Sequence, residues 1–284
     1  MIGRRLFLLG AAGLLACQKH ELATGTRGTR IVTLAPAVTE TLFAIGAGGD
    51  VVAVSDYCDS PPEVQKLPRV GTSITPNYEA IARVAPTLIV SESNAATRAR
   101  ELGALAPTRL LPWLALSEIT ASIRELGRLS RQTAAADALA TRLQARLDVP
   151  EPAAGPRVLL VLGSDSESAA ELWFIRKNSL HGAALHASGA RNAVPEAVSG
   201  PPRLAAERLF TLDPDAIVIL SRPGGKRTAS APLVASLERF HGLRVVAERR
   251  VSVLVAPEAF ANGPRILTLV DRLEAELRRL GLRK

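Results

Sequence analysis

Beyond residue 29 the hydrophobic positions fall into short solid runs separated by stretches of helical period. Arg30-Ile31-Val32-Thr33-Leu34 has the length and β-branched content of a strand. Pro36 and the polar Thr39-Glu40 open a helix that ends at Gly46. Residues 51–54, 87–91 and 109–111 predict three further strands, with helices over 78–84 and 97–105 between them. Strand alternating with helix predicts an α/β domain with a largely parallel sheet over residues 30–114.

From 117 to 148 there is no proline, and Gly127 is the only glycine. Ile119, Ile123, Leu126 and Leu129, then Leu139, Leu143 and Leu147, recur at helical spacing, and Ser117 is a suitable N-cap. One helix of about 30 residues would be about 45 Å long, too long to pack on one small sheet. The segment 115–149 is therefore predicted to be a strut between two lobes. Pro150 to Pro156 ends it, and residues 150–284 form the second lobe, with strands at 157–163, 215–221 and 251–255. Its helices are predicted at 180–187, 204–212, 231–240 and 263–280.

The two halves share an internal repeat. Glu79, Ile81, Val84, Pro86, Ile89 and Val90 have the same spacing as Glu207, Leu209, Leu212, Pro214, Ile217 and Val218. Each set reads as an acidic residue in a helix's first turn, an apolar face, a proline that ends the helix, then a buried strand. Six positions in register predict two lobes of like design.

Residues 1–16 carry Arg4-Arg5 and then an apolar run from Leu6 to Ala16, about half of what a membrane-spanning helix needs. That order reads as a secretory leader, by the general or the twin-arginine route. Its end, Leu14-Leu15-Ala16-Cys17, resembles the lipobox of bacterial lipoproteins, which implies acylation of Cys17 and attachment to a membrane through lipid. Residues 17–29 read as a flexible tether. With Cys17 acylated, Cys58 has no disulfide partner.

The quoted start of the first lobe, Arg30 to Glu40, then Ser55-Asp56-Tyr57-Cys58-Asp59-Ser60-Pro61-Pro62-Glu63, then Leu67-Pro68-Arg69-Val70-Gly71, resembles the periplasmic binding proteins for cobalamin, siderophores and haem. The resemblance covers nearly all of the chain after the leader. It implies two α/β lobes joined by one long helix, and a bulky metal chelate (its cobalt or iron belonging to the ligand) clamped between them. It also implies partnership with an ABC permease and its ATPase, with Glu79 and Glu207 as docking points, one per lobe.

Ligand sites in such proteins lie at strand C-termini facing the cleft. Pro36 and Tyr57 stand there on the first lobe, and Tyr57 matches a cleft tyrosine of the cobalamin-binding relatives. A tyrosine packed under its own loop is the competing reading. Trp173, Phe174 and Phe260 are candidate aromatic walls in the second lobe, although 172–175 also reads as a buried strand. Arg176 and Lys177 would suit an anionic ligand. Where those relatives place tryptophans this chain has Ser73, Glu92 and Pro201, and their acidic and basic cleft pair becomes Pro257 and Ala261. The departures leave corrinoid, ferric siderophore and haem open.

Composition narrows the alternatives. Hydrophobic residues make up 47% of the chain, enough for real cores, and aromatics only 4%, too few for a nucleic-acid stacking platform. The net charge is +8, with arginines scattered as on a solvated surface. Four histidines without a common helix face offer no protein-ligated metal site. No G-x-S-x-G elbow, Walker loop or G-x-G-x-x-G is present, and Asp165 and Glu167 lack a nearby histidine, so no enzyme is expected.

Overall fold

The computed structural model describes residues 28–94, 97–163, 171–199, 202–222, 231–260 and 262–284. Cys17, Pro201, Ala261, Asp165 and Glu167 lie outside them. The first lobe runs β1 (Ile31–Thr33), α1 (Pro36–Ala44), β2 (Val51–Val54), α2 (Tyr78–Arg83), β3 (Leu88–Glu92), α3 (Ala99–Gly103) and β4 (Thr108–Leu111). Its strands form one parallel sheet in the order β2-β1-β3-β4. Two helices follow, α4 (Leu116–Leu129) and α5 (Thr133–Leu147).

The second lobe contains β5 (Arg157–Leu162), β6 (Glu171–Trp173), α6 (Leu180–Ala187), β7 (Arg191–Asn192), β8 (Arg203–Ala205), α7 (Arg208–Leu212), β9 (Ala216–Ser221), α8 (Ala231–Glu238), α9 (Arg244–Ala247), β10 (Val251–Val255) and α10 (Ile266–Arg279). Its main sheet is also parallel, in the order β10-β9-β5-β7, and β6 pairs with β8 antiparallel. Read from the other edge, the order β7-β5-β9-β10 matches β2-β1-β3-β4 strand for strand. The α/β class and the two like lobes are as the sequence predicts.

The repeat reaches further than the six positions that the sequence shows. Ala85 and Asp213, each just before its proline, both take a positive φ, 43° and 36°, which closes α2 and α7 with a left-handed turn. Arg30 and Arg157, each at the start of the lobe's first strand, reach the carbonyls this turn leaves free. Arg30 Nη2 donates to the Val84 carbonyl at 2.7 Å and Nε to the Ala85 carbonyl at 3.1 Å. Arg157 Nη2 donates to the Leu212 carbonyl. The next positions match as well: Arg30 N–H donates to Thr87 Oγ1 at 2.8 Å, and Arg157 N–H to Asp215 Oδ2 at 2.8 Å.

The predicted single strut is two helices. The chain turns at Ser130-Arg131-Gln132, where Arg131 has φ 59° and Gln132 N–H donates back to the Gly127 carbonyl at 2.7 Å. Gly127 explains why the pair forms. A Cβ there would stand 2.3 Å from Ala136 Cβ, so α5 crosses α4 at the one position without a side chain. Arg124 then clamps α5 from outside, to Asp137 at 3.0 Å and Gln144 Oε1 at 3.0 Å. The cap also differs: Ser117 is inside α4, and Glu118 Oε2 accepts from the Leu114 and Ala115 N–H groups at 3.0 and 3.1 Å.

Strand alternation sorts the cores. Val32 and Ile89 face an outer core of the first lobe; Leu159, Ile217 and Ile219 face an outer core of the second. Ile31, Val90, Val158, Leu160 and Val218 face one continuous core that also takes in Ile119, Leu126, Leu143, Leu147 and Leu273. The helix pair thus buries both lobes against itself. A helix predicted over 204–212 is half strand: Leu204 is buried between exposed Arg203 and Ala205 as part of β8, and α7 begins only at Arg208. Glu207 is therefore the N-cap of α7, not a first-turn residue.

Candidate ligand-binding site

The lobes meet along the C-terminal ends of their strands. After β4, the Trp113 Nε1–H donates to the Asn262 carbonyl at 2.7 Å, and the Leu114 carbonyl accepts from the Leu180 N–H at 3.1 Å. Arg265 grips Glu40 of α1 with two bonds, Nε to Oε2 at 3.0 Å and Nη2 to Oε1 at 2.5 Å. The Glu40 carboxylate is almost wholly buried, with its side chain 4% exposed. A Cβ on Gly263 would stand 2.9 Å from Glu40 Oε2, so a side chain there would push the carboxylate off its place against Arg265. The guanidinium of Arg265 has its pKa raised, chiefly by its hydrogen bonds to Glu40.

A cavity of about 270 Å³ opens at this junction, lined among others by Leu114, Leu162, Phe174, Arg176, His181 and Phe260. Phe174 is 3% exposed and belongs to the second lobe's outer core, with one edge on the cavity. Phe260 is half-buried, and the Arg222 guanidinium lies 4.6 Å from its ring centre. His181 is buried, and its Nε2 pairs with the Ala259 carbonyl at 2.7 Å; burial lowers its pKa, so it stays neutral there. Among the described residues no cluster of His, Cys, Asp and Glu could hold a metal ion.

The other predicted residues that the structure describes do not line this cavity. Tyr57 is 68% exposed on the loop after β2, so it is not packed under that loop. Pro36 is the half-buried first residue of α1. Ser73 lies in the turn closed by Thr72 Oγ1 and Thr75 Oγ1 at 2.9 Å, beside exposed Ile74. Trp173 is 39% exposed on β6, where alternation turns it opposite to Phe174, and Arg203 stacks 4.6 Å from its ring centre. Glu92 ends β3, half-buried, with burial alone pushing its carboxyl up to about 7. Cys58 is buried against Thr39 Oγ1 at 3.1 Å, and burial pushes its thiol up, which keeps it unreactive.

A larger cavity, about 550 Å³, lies at the opposite ends of β1 and β3, lined by Arg30, Asp50, Ala85 and Thr87. Its described wall is mostly small residues, and Arg30 there is bound to the Val84 and Ala85 carbonyls just after α2. Strand C-termini, not N-termini, collect binding residues in parallel sheets.

A model of the periplasmic binding protein family matches residues 31–257. The chain belongs to that family. This periplasmic binding protein is 28% identical to a vitamin B12-binding protein of Pectobacterium carotovorum over 282 residues, 95% of each chain. Its fold is similar to that of a periplasmic heme binding protein from Pseudomonas aeruginosa, with TM-score 0.72 and 22% identity over 90% of this chain and 94% of the other. It is also similar to the periplasmic vitamin B12 binding protein of Vibrio cholerae, with TM-score 0.66 and 24% identity over 89% and 97%. The chain is a substrate-binding protein and not an enzyme.

Within this binding protein two of the residues singled out in the sequence, Phe174 and Phe260, line one cavity, while the contacts that join the lobes have no counterpart in the sequence reading. Glu40, Trp113, Asn262 and Arg265 have no local signal, because each partner lies at least 149 positions away. Among the described residues Arg203 of the second lobe pairs with Glu171 at 3.3 Å, and Arg222 stacks on Phe260. Of the docking candidates, Glu79 is exposed and bonded to Arg83 at 2.7 Å, while the exposed Glu207 carboxylate pairs with no described residue.

Proposed function

We propose that the chain is the lipid-anchored binding component of an ABC importer and carries a bulky metal chelate, a corrinoid or a ferric siderophore, in the crevice between its lobes. The observation that carries this reading is end-to-end similarity to a vitamin B12-binding protein, in a chain whose two like sheets turn their strand ends toward one junction. Phe174 and Phe260 would floor the site. Pro36, Tyr57, Ser73, Glu92 and Trp173 would rim it, with Pro201 nearby in sequence to β8. Haem is the second reading, favoured by the arginines of the second lobe's rim, which suit a carboxylate-bearing ligand.

No helix among the described residues is long and apolar enough to cross a membrane. Attachment through acylated Cys17, outside the cytoplasm, is the anchor we propose. Intact mass of the membrane-extracted protein tests it: acylated Cys17 at the N-terminus supports the anchor, and an unprocessed Met1 ends it.

Titrating the purified protein with cyanocobalamin, haemin and ferric siderophores, each with its own visible spectrum, tests the ligand class. Loss of the Tyr57 ring should weaken the cognate chelate about 5- to 150-fold, the equivalent of about 1–3 kcal/mol for an aromatic wall. Unchanged affinity in Tyr57→Ala would make Tyr57 a bystander. Docking through Glu79 and Glu207 predicts normal ligand affinity but impaired uptake in Glu79→Ala/Glu207→Ala, worse than in either single change. Wild-type uptake by that double variant in reconstituted vesicles removes the docking role.

A further inference from the structure

A further cavity, about 320 Å³, opens between the lobes and shares no lining residue with the one at the strand ends. The first lobe lines it with Glu40 and Phe43 of α1 and with Pro61 and Glu63 after β2; the second lobe lines it with Pro264 and Arg265 at the head of α10. Phe43, Pro61 and Pro264 give it stiff apolar walls. A Cβ on Gly48 would stand 2.5 Å from Phe43 Cδ1 and 2.7 Å from Cε1, so bare backbone backs the ring and keeps it in place. The volume is at the low end of ligand sites, with room for one small molecule and not for a bulky chelate.

The charges here do not cancel. Glu40 and Arg265 neutralise each other through their two bonds. Asp59 and Glu258 also act on Arg265. Glu258 is taken up by Arg272 at 2.5 Å, whereas Asp59 is 69% exposed and comes no nearer to Arg265 than 3.9 Å. Glu63 stands exposed on the rim, and no described residue forms an ion pair with it, Lys66 of the same short helical turn included. Glu63 and Asp59 are thus left without a close cation, while the one cation of the wall is already spent on Glu40. An apolar slot with an aromatic wall and excess negative charge at its mouth selects a cation with a flat body. A guanidinium or amidinium suits it better than an ammonium, because the planar group stacks on a ring and can give a carboxylate two N–H bonds at once.

We propose that this cavity is a second binding site, separate from the chelate crevice, for a small organic cation of the guanidinium or amidinium class with a flat apolar body. The apolar part packs among Phe43, Pro61 and Pro264, and the cation bonds the Glu63 carboxylate. Because the walls come from both lobes, the occupant bridges them beside the Glu40–Arg265 pair and holds the junction together. The site does not depend on what the crevice carries.

Benzamidine, an amidinium on a benzene ring, is the probe, and benzyl alcohol is the same ring without the charge. Saturation-transfer NMR on the whole protein should show saturable benzamidine binding with a Kd of about 1 mM, and at least about tenfold weaker binding of benzyl alcohol. Glu63→Gln, which keeps the shape of an exposed side chain and removes its charge, should weaken benzamidine about fivefold. Benzamidine should raise the Tm of the wild type more than that of Glu63→Gln, since it binds only the folded junction. Filling the crevice with whichever of cyanocobalamin, haemin or a ferric siderophore binds should leave the benzamidine Kd unchanged. No binding up to about 20 mM, equal binding of benzyl alcohol, unchanged affinity in Glu63→Gln, or displacement of benzamidine by the chelate would overturn the inference and leave the crevice reading intact. Failure of all three chelates to bind would remove the transport reading and leave this site standing.

Discussion

The two lobes are the same construction carried out twice, and they differ where they face each other. Each has a four-stranded parallel sheet in the same order, an arginine at the head of the first strand, and a helix closed by a left-handed residue before a proline. These features sit at the N-terminal ends of the strands, away from the junction, and serve stability in both lobes alike. At the C-terminal ends the likeness stops. One central strand ends in Glu92, the other in Leu220 and Ser221. One candidate docking carboxylate is tied to Arg83 and the other is free of any described partner. What repeats is what the fold needs, and what differs is what a ligand and a partner would read.

The largest effect should come from breaking the contact that has no counterpart within either lobe. Arg265→Met leaves the Glu40 carboxylate buried without a cation and should cost about 3–5 kcal/mol, at the lower end because Arg265 is a third exposed. Urea unfolding measures it, and a loss below about 1 kcal/mol would show that the lobes do not depend on the pair.

Making the lobes alike at Glu92 should have the next largest effect, and its sign depends on pH. The folded carboxyl titrates at about 7 against an ordinary value of 4.5. The penalty is therefore absent below pH 4.5, grows as pH rises, and is complete above 7, where it reaches up to about 3 kcal/mol. Glu92→Leu should gain more stability at pH 8 than at pH 4 by that amount. An equal change at both pH values would mean that the carboxyl is hydrated in the folded protein.

The shared features should respond in parallel. Arg30→Met and Arg157→Met each remove a cation from the free carbonyls of a helix end, and each should cost about 1–2 kcal/mol. A large loss in one and none in the other would deny that the two caps do the same work. The smallest change is Ala85→Gly, which relieves a positive φ and should stabilise by about 0.5–1 kcal/mol. Asp213→Gly should gain less, because Asp213 also pairs with Arg244 at 3.2 Å. Thermal unfolding compares the two.

By itself the sequence determined β1 to β5, β9 and β10, the two-lobe plan and the repeat, because these depend on neighbours in the chain: β-branched runs, apolar periods, a proline behind a helix. Even the hairpin of α4 and α5 left a trace, since no large apolar residue occurs between Leu129 and Leu139. The period on either side hid it, and only the fold sets Ala136 against Gly127. Only the tertiary structure decided which candidate residues meet. Phe174 and Phe260 are brought to one cavity from different elements, while Trp173, next to Phe174 in the chain, is turned away by the alternation of β6. Glu40 and Arg265 are 225 positions apart, and nothing local foretells their bond. Local chemistry fixes an element; which elements face each other follows from burying both sheets on one shared core.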